Sequence, residues 1–472
     1  MPGPLPRRGV IEGFYGRPWT FDERADAIRF LADVGMNAYV YAPKDDPRHR
    51  ADWRQPYDPD DLEAFRRLAA VGQEVGVRVG FAISPGLDLD PQSPSDLDAL
   101  VRKTGVMVDR GWTWIVLAFD DIPTRPDAGP EQAAVASHLL GALTARTPGV
   151  ELTLVPTEYV GTRPSPYLRE LGSALDPRIG VMWTGPTVCS PRISGTDADA
   201  WSAALGGRLP LLWDNVPVND GSMASSLHLG PYRGRDAALG GSVAGILLNP
   251  MNQALCSRIT IAAAAEYAAA PDGFDADAAW RRAIERVAAG RTWLGPIASA
   301  LADSPVVDPR DLALARTVDA AQRGDEGAWS ACADGFRALR DAGRAARAAA
   351  EAGDPLALEI APWCDSIERE TSAALAALRL REALRVEPVD ATVALQHAVG
   401  TAWAWSAAIR AADHTVLGPR STVHPAIVQL PDGRPAFDVT NGLRFDANVV
   451  DRLVRGVLAD YEAWRLSQEG AA

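Results

Sequence analysis

Two adjacent aspartates, Asp120 and Asp121, carry the clearest chemical signal in the sequence. Two carboxylates held close cannot both ionise easily, so one is driven towards its protonated form while the other stays charged. That pairing suits a general acid working beside an ionised partner. Neighbouring side chains on a strand face opposite sides, so both carboxylates reach one site only where a strand is ending. The competing reading is that Asp120 alone faces a site and Asp121 caps the following helix. Asp-Asp is not a rare dipeptide here: Asp45-Asp46 and Asp60-Asp61 are two more.

Short runs rich in Val, Ile, Leu and aromatics predict strands over 9–13, 37–41, 77–84, 114–120, 151–156, 180–184, 209–214 and 245–249. Helical patterns lie between them, for example 22–34, 60–76, 95–109, 131–146 and 257–269. Asp60 and Ser95 are the expected N-caps of two of these. The weakest helix is the seventh, inside the Gly-rich stretch 215–241. Alternation of this kind over about 260 residues is the arithmetic of a (β/α)8 TIM barrel. A doubly wound sheet is the rival, and no Gly-rich phosphate turn follows the first strand to support it. In a barrel the chemistry sits at the C-terminal ends of the strands. Those ends supply Gly13, Lys44, Asp120 with Asp121, Tyr159, Trp183, Trp213 with Asn215 and Asp220, and Asn249.

Carboxylates, amides, one lysine and several aromatics make a set suited to sugars. Aromatic faces stack on sugar rings, Asp and Asn bind hydroxyls, and paired carboxylates are the usual glycosidase equipment. Each member also has a plainer reading. Lys44 is equally a surface lysine beside Asp45 or Asp46, and Tyr159 a packing aromatic. Asn215, Asn249 and Asp220 suit turns, Trp183 and Trp213 suit a core, and Gly13 suits a tight turn.

The net charge of −14 argues against a nucleic-acid partner. No apolar run approaches the roughly 18 residues of a membrane span. No apolar stretch follows Arg7 and Arg8, so no secretory signal is read and a cytoplasmic location is expected. The four cysteines form no CxxC pair and are read as reduced thiols. The six histidines form no HExxH, so neither a metal nor a cofactor is expected.

After residue 270 the composition changes. Residues 275–412 are Ala- and Arg-rich with helical periodicity over 275–289, 311–323, 326–352, 356–386 and 390–412. Gly353-Asp354-Pro355 and Glu387-Pro388 are the breaks. The expected organisation is a barrel domain over 8–270, an α-helical bundle over 271–412 and an extension over 413–472. That extension begins loop-like around Pro419, Pro425, Pro431 and Pro435 and ends in a helix over about 448–467. Its two candidate uses are covering the cleft and making a homodimer contact.

The strand-end segments resemble glycoside hydrolase family 84, the β-N-acetylglucosaminidases that include protein O-GlcNAcases and bacterial relatives once called hyaluronidases. The segments are Glu12-Gly-Phe-Tyr-Gly-Arg-Pro-Trp19, Tyr41-Ala-Pro-Lys-Asp-Asp46, Ile83-Ser-Pro-Gly-Leu-Asp88, Phe119-Asp-Asp-Ile122, Pro156-Thr-Glu-Tyr159, Trp183-Thr-Gly-Pro186, Trp213-Asp-Asn215 and Asn249-Pro250. They stand in family order over about residues 8–270.

The resemblance implies retaining, substrate-assisted hydrolysis, in which the sugar's own 2-acetamido oxygen attacks the anomeric carbon and forms an oxazoline. It implies that Asp120 polarises the acetamido N–H and that Asp121, expected to be the partly protonated member, is the general acid and base. Tyr159 would stand near the acetamido oxygen. Asn215 would hold the positioning aspartate and the sugar, and Asp220 would bind the O4 and O6 hydroxyls. Gly13 (through its carbonyl), Lys44 and Asn249 would add sugar contacts, with Trp213 as an aromatic wall and Trp183 as a second one.

Unlike many bacterial members, no extra domain is read before Arg8. Unlike the animal enzymes, no acetyltransferase-like domain is read after the bundle, so the leaving-group side stays unassigned. The alternatives are a hydrolase of hyaluronan or chitooligosaccharides, and a non-catalytic glycan-binding barrel. If the metal-free reading is right, EDTA treatment should leave hydrolysis of an aryl β-N-acetylglucosaminide unchanged.

Overall fold

The computed structural model describes residues 4–125, 127–410, 413–419, 426–429, 435–438 and 448–469. Eight strands close into a parallel barrel in sequence order. They are β1 (Arg7–Glu12), β2 (Ala38–Tyr41), β3 (Arg78–Ile83), β4 (Trp114–Ala118), β5 (Glu151–Val155), β6 (Gly180–Trp183), β7 (Leu211–Asp214) and β8 (Gly245–Leu248). The intervening helices are α1 (Phe21–Asp33), α2 (Pro59–Val75), α3 (Pro94–Val108), α4 (Ala128–Arg146), α5 (Pro166–Ala174), α6 (Gly195–Ala204), α7 (Leu239–Ser242) and α8 (Ala254–Ala269). The expected (β/α)8 barrel is the one found, and its weak seventh helix is a single four-residue turn.

Strands buried on both faces read as continuous apolar runs, and Val116, Ala118, Val155, Met182, Leu211 and Leu247 pack in the barrel core. Trp114 fills part of it, its indole N–H donating to Thr153 Oγ1 at 2.9 Å. The N-caps expected at Asp60 and Ser95 lie two residues too late. Asp58 holds the N-cap position of α2 without a side-chain capping bond, and α3 is capped at Ser93, whose side chain accepts from the Asp96 N–H. In both helices the overlooked signal is a proline at the first position, Pro59 and Pro94, where a missing N–H costs nothing.

Two compact units divide the chain. The first comprises Met1–Gly221, Tyr232–Trp280 and Pro425–Asp438, and the second comprises Ser222–Pro231, Arg281–His424 and Val439–Ala472. The later helices are α9 (Ala276–Ala288), α10 (Leu294–Ala300), α11 (Ala313–Gln322), α12 (Glu326–Glu351), α13 (Pro355–Ala383), α14 (Ala391–Arg410) and α15 (Val449–Glu469). The break at 353–355 separates α12 from α13, where Asp354 accepts from the Leu356 and Ala357 N–H groups. The stretch expected to be loop-like contains a two-stranded antiparallel sheet, β9 (Ala426–Gln429) and β10 (Pro435–Asp438). Pro435 opens a strand, a position that needs no donor. Pro425 and Pro431, and the end of the helix expected over 390–412, lie outside the described residues. Among the described residues no helix is long and apolar enough to cross a membrane.

In the second unit Asp303 is buried, and burial pushes its carboxyl up to about 7 against a partial pull from its own backbone N–H. A carboxyl raised on folding stabilises the fold fully below its unfolded value and loses that contribution as pH rises through its folded value. Urea unfolding should therefore show stability falling between about pH 4 and 7, by at most a few kcal/mol. Asp303→Asn should flatten that stretch of the curve.

Candidate active site

Nine of the ten residues selected from the strand ends line one cavity of about 180 Å³: Gly13, Lys44, Asp120, Asp121, Tyr159, Trp213, Asn215, Asp220 and Asn249. Drug-sized ligands occupy pockets of about 300–1,000 Å³, so this one suits a single small ring. Trp183 is the exception. It is wholly buried, stacks on Trp201 with ring centroids 5.9 Å apart, and donates to the Gly161 carbonyl at 2.8 Å.

The aspartates reach the cavity together because the backbone turns between them. Strand β4 ends at Ala118, and Asp121 is left-handed with φ 54°. A non-glycine residue there costs of order 1 kcal/mol, and Asp tolerates it better than most. Arg50 holds the turn, donating to the Asp121 carbonyl at 3.2 Å and to Ser84 Oγ at 3.1 Å. The helix-cap reading of Asp121 is excluded by its partners: Oδ2 accepts the Tyr15 hydroxyl at 2.7 Å and Oδ1 the Tyr159 hydroxyl at 2.8 Å.

Asp120 is held differently. Lys44 Nζ donates to its Oδ2, both side chains being almost fully buried. Among the described residues Asp120 Oδ1, which is buried, has no hydrogen-bond partner, and an Arg50 nitrogen lies 3.9 Å away. The aspartate-holding contact expected of Asn215 is thus made by Lys44. Asn215 Oδ1 instead accepts from Trp213 Nε1 at 3.0 Å and Asn249 Nδ2 at 2.9 Å, and its Nδ2 donates to the Val188 carbonyl at 2.7 Å. Asn249 Oδ1 accepts from the Gly13 N–H at 3.1 Å. A Cβ on Gly13 would lie 2.1 Å from the Trp213 ring, so the wall needs glycine there.

The carboxylates shift in opposite directions. Burial pushes Asp121 up, but Lys44, the Tyr15 and Tyr159 hydroxyls and Arg50 outweigh it and hold the group below its ordinary value. The expected partly protonated Asp121 is therefore not what these surroundings produce alone. Asp220 goes the other way: burial raises it, and the nearby Asp121 charge adds to that against the Tyr15 N–H and Lys44.

A family model described as beta-N-acetylglucosaminidase (NAGidase) matches residues 8–299. The chain belongs to the beta-N-acetylglucosaminidase family. It is similar to the protein O-GlcNAcases of Rattus norvegicus and Mus musculus, 37% identical to each over 256 residues, which is 51% of this chain. It spans 28% of the length of those curated relatives. A mutant O-GlcNAc hydrolase of Thermobaculum terrenum superposes with TM-score 0.80 at 28% identity, covering 99% of this chain and 97% of that one. CpGH84B superposes with TM-score 0.82 at 27% identity, covering 96% and 77%. These likenesses place the chain in glycoside hydrolase family 84, the family its strand-end segments resemble.

The cavity is also lined by residues that were not singled out among those at the strand ends. Tyr15, Val155, Thr184, Val188, Cys189 and Val218 line it. Tyr15 stood inside the Glu12–Trp19 segment, but nothing in its spacing shows that its ring turns towards a residue 106 positions away. Arg50 lies on a loop nine residues beyond β2, where no periodicity singles it out. Burial pushes the Cys189 thiol up to about 12, so it is unreactive as it stands. No group of three His, Cys, Asp or Glu able to hold a metal occurs among the described residues.

The pairing of Lys44 with Asp120 can be tested by removing each partner. Lys44→Met leaves a buried carboxylate uncompensated and should cost about 3–5 kcal/mol in urea unfolding. Adding Asp120→Asn should recover part of that loss. A double variant as unstable as Lys44→Met alone would count against the pairing.

Proposed function

We propose that this protein is a retaining exo-β-N-acetylglucosaminidase that removes terminal β-linked GlcNAc through an oxazoline intermediate. The observation carrying the mechanism is the asymmetry of Asp120. One of its oxygens is neutralised by Lys44, and the other is buried and unbonded in the wall of a ring-sized cavity. A buried acceptor without a donor is costly, and an acetamido N–H supplies that donor.

In this reading the acetamido oxygen attacks the anomeric carbon as the bond to the leaving oxygen breaks. Asp121 gives its proton to that oxygen. Asp120 hydrogen-bonds the N–H and stabilises the positive charge developing on the oxazolinium, an interaction that strengthens in the transition state. Water then attacks the same carbon, Asp121 takes the water's proton, and the acetamido group is restored with net retention. Tyr159 stands beside the reacting acetamido group, and the Trp213 ring, fixed by Asn215, backs it. Asp220 and Asn249 bind ring hydroxyls. No enzyme nucleophile is required, which is one of the recognised departures from the two-carboxylate scheme.

We assign the chemistry to residues 8–270, with a β-linked GlcNAc glycoside as substrate. Cys189, Cys256, Cys332 and Cys364 are all free thiols, which supports placing the protein in the reducing cytoplasm.

The test is hydrolysis of an aryl β-N-acetylglucosaminide, with the matching β-glucoside as control. The glucoside should not turn over. Asp121→Asn should lose about 10²–10⁴-fold on poor leaving groups and far less on activated ones. Asp120→Asn should lose about 10²–10³-fold on both. Equal losses from Asp121→Asn on the two leaving groups would contradict its assignment as the acid, and ready glucoside turnover would contradict substrate assistance.

A further inference from the structure

Asp121 is crowded with donors for a group that must itself give a proton. Both its oxygens accept tyrosine hydroxyls, Oδ1 from Tyr159 at 2.8 Å and Oδ2 from Tyr15 at 2.7 Å. Hydrogen bonds donated to a carboxylate favour its ionised form. A leaving-group oxygen can take a proton from Asp121 only by approaching one of these oxygens, where it competes for room with a tyrosine hydroxyl already in place.

The two tyrosines are not equally able to make way. Tyr159 is 9% exposed and packed in the core cluster with Val155 and Trp213. Tyr15 is 39% exposed at the cavity wall. Its backbone is pinned on both sides: its N–H donates to Asp220 Oδ2 at 2.8 Å, its carbonyl accepts from Asn252 Nδ2 at 3.1 Å, and the next N–H, of Gly16, donates to Asp45 Oδ2 at 2.8 Å. A fixed backbone carrying a partly exposed ring leaves side-chain rotation as the available motion.

We propose that the Tyr15 hydroxyl is a displaceable latch on Asp121, holding it as the anion until an entering leaving group takes the hydroxyl's place and lets the carboxyl keep a proton. Tyr15 is then a positioning residue that couples occupancy of the leaving-group side to readiness of the acid. The inference rests on the reading of Asp121 as general acid. The charged and titratable groups facing Asp121 are Tyr15 from the loop after β1, Lys44 and Arg50 from the loop after β2, and Asp120 beside it. Tyr159 faces it from the loop after β5, and Asp220 from the loop after β7. Burial and the Asp121 charge push the Tyr15 phenol well above its ordinary range, so it stays a donor throughout.

The experiment compares pH profiles of wild type and Tyr15→Phe on an aryl β-N-acetylglucosaminide with a poor leaving group. The alkaline limb of kcat/KM reports loss of the acid's proton in free enzyme, and that of kcat reports it in the complex. Removing the donor should raise the kcat/KM limb by about one pH unit, about tenfold in protonated fraction, and leave the kcat limb in place. Tyr15→Leu, which removes the ring as well, should move the kcat/KM limb the same way. Limbs that shift together would mean a donor that never leaves, and limbs that do not shift would mean no influence at all; either overturns the latch. Titration of the Asp121 carboxyl by ¹³C NMR in free protein reads the same effect without turnover. A higher midpoint in Tyr15→Phe is expected, and equal midpoints would sink the latch. A wild type that hydrolyses nothing would instead defeat the functional reading.

Discussion

The cleft depends on one backbone turn. Consecutive side chains on a strand diverge, yet Asp120 and Asp121 both line the same cavity because the chain leaves the extended conformation between them. The left-handed residue is paid for by its surroundings: Arg50 takes the Asp121 carbonyl and the two tyrosine hydroxyls take its carboxylate. An ordinary extended residue at 121 would send the second carboxylate away, leaving one acid where the proposed chemistry needs two.

The loops that carry the remaining side chains are stapled by buried or half-buried charges that stay out of the cavity wall. Glu12 ends β1 and is fully buried. It accepts two bonds from Arg24, each at 2.8 Å, with the Trp19 N–H at 3.1 Å and the Tyr39 hydroxyl. This fixes the loop that holds Gly13 and Tyr15. Asp46 accepts the Tyr41 hydroxyl at 2.7 Å and the Tyr57 hydroxyl at 2.5 Å, which sets the loop of Lys44. Asp214 is gripped by both forks of Arg235 and by Tyr232 at 2.7 Å, just before Asn215. Buried charges are tolerated only when paired and fully hydrogen-bonded, and here that requirement fixes the geometry of the strand ends.

The electrostatics of the cavity are those of separated duties. Lys44 and Arg50 place positive charge behind Asp121, which favours its anion. Asp220, near enough to feel Asp121 and less well compensated, is pushed towards its neutral form. Tyr15 touches both, with its hydroxyl on one and its amide on the other, so the two carboxylates are mechanically linked through a single residue.

Much of this was legible in the sequence. Burial on both strand faces writes itself as apolar runs, and a parallel barrel puts chemistry at strand ends. Those two rules picked out nine of the residues that line the cavity, including Lys44 and Asp220, whose sequence neighbours also suit plain surface turns. Local backbone chemistry was read less well, as the displaced caps at Asp58 and Ser93 and the strand pair at 426–438 show. Only the tertiary structure decided the rest. Trp183 ends β6 and Trp213 stands one residue before the end of β7, yet one is core and the other a wall, because that choice depends on how each β-end meets its neighbours. Asn215 turns to Trp213 and Asn249 while Lys44 holds Asp120, and Tyr15 and Arg50 join the site from loops without periodicity. The protonation balance of Asp121 is a sum over groups from other loops, those after β1, β2 and β5 among them. Sequence spacing records which face of an element a residue occupies; it does not record distances between elements, and hydrogen bonds and charge interactions depend on those distances.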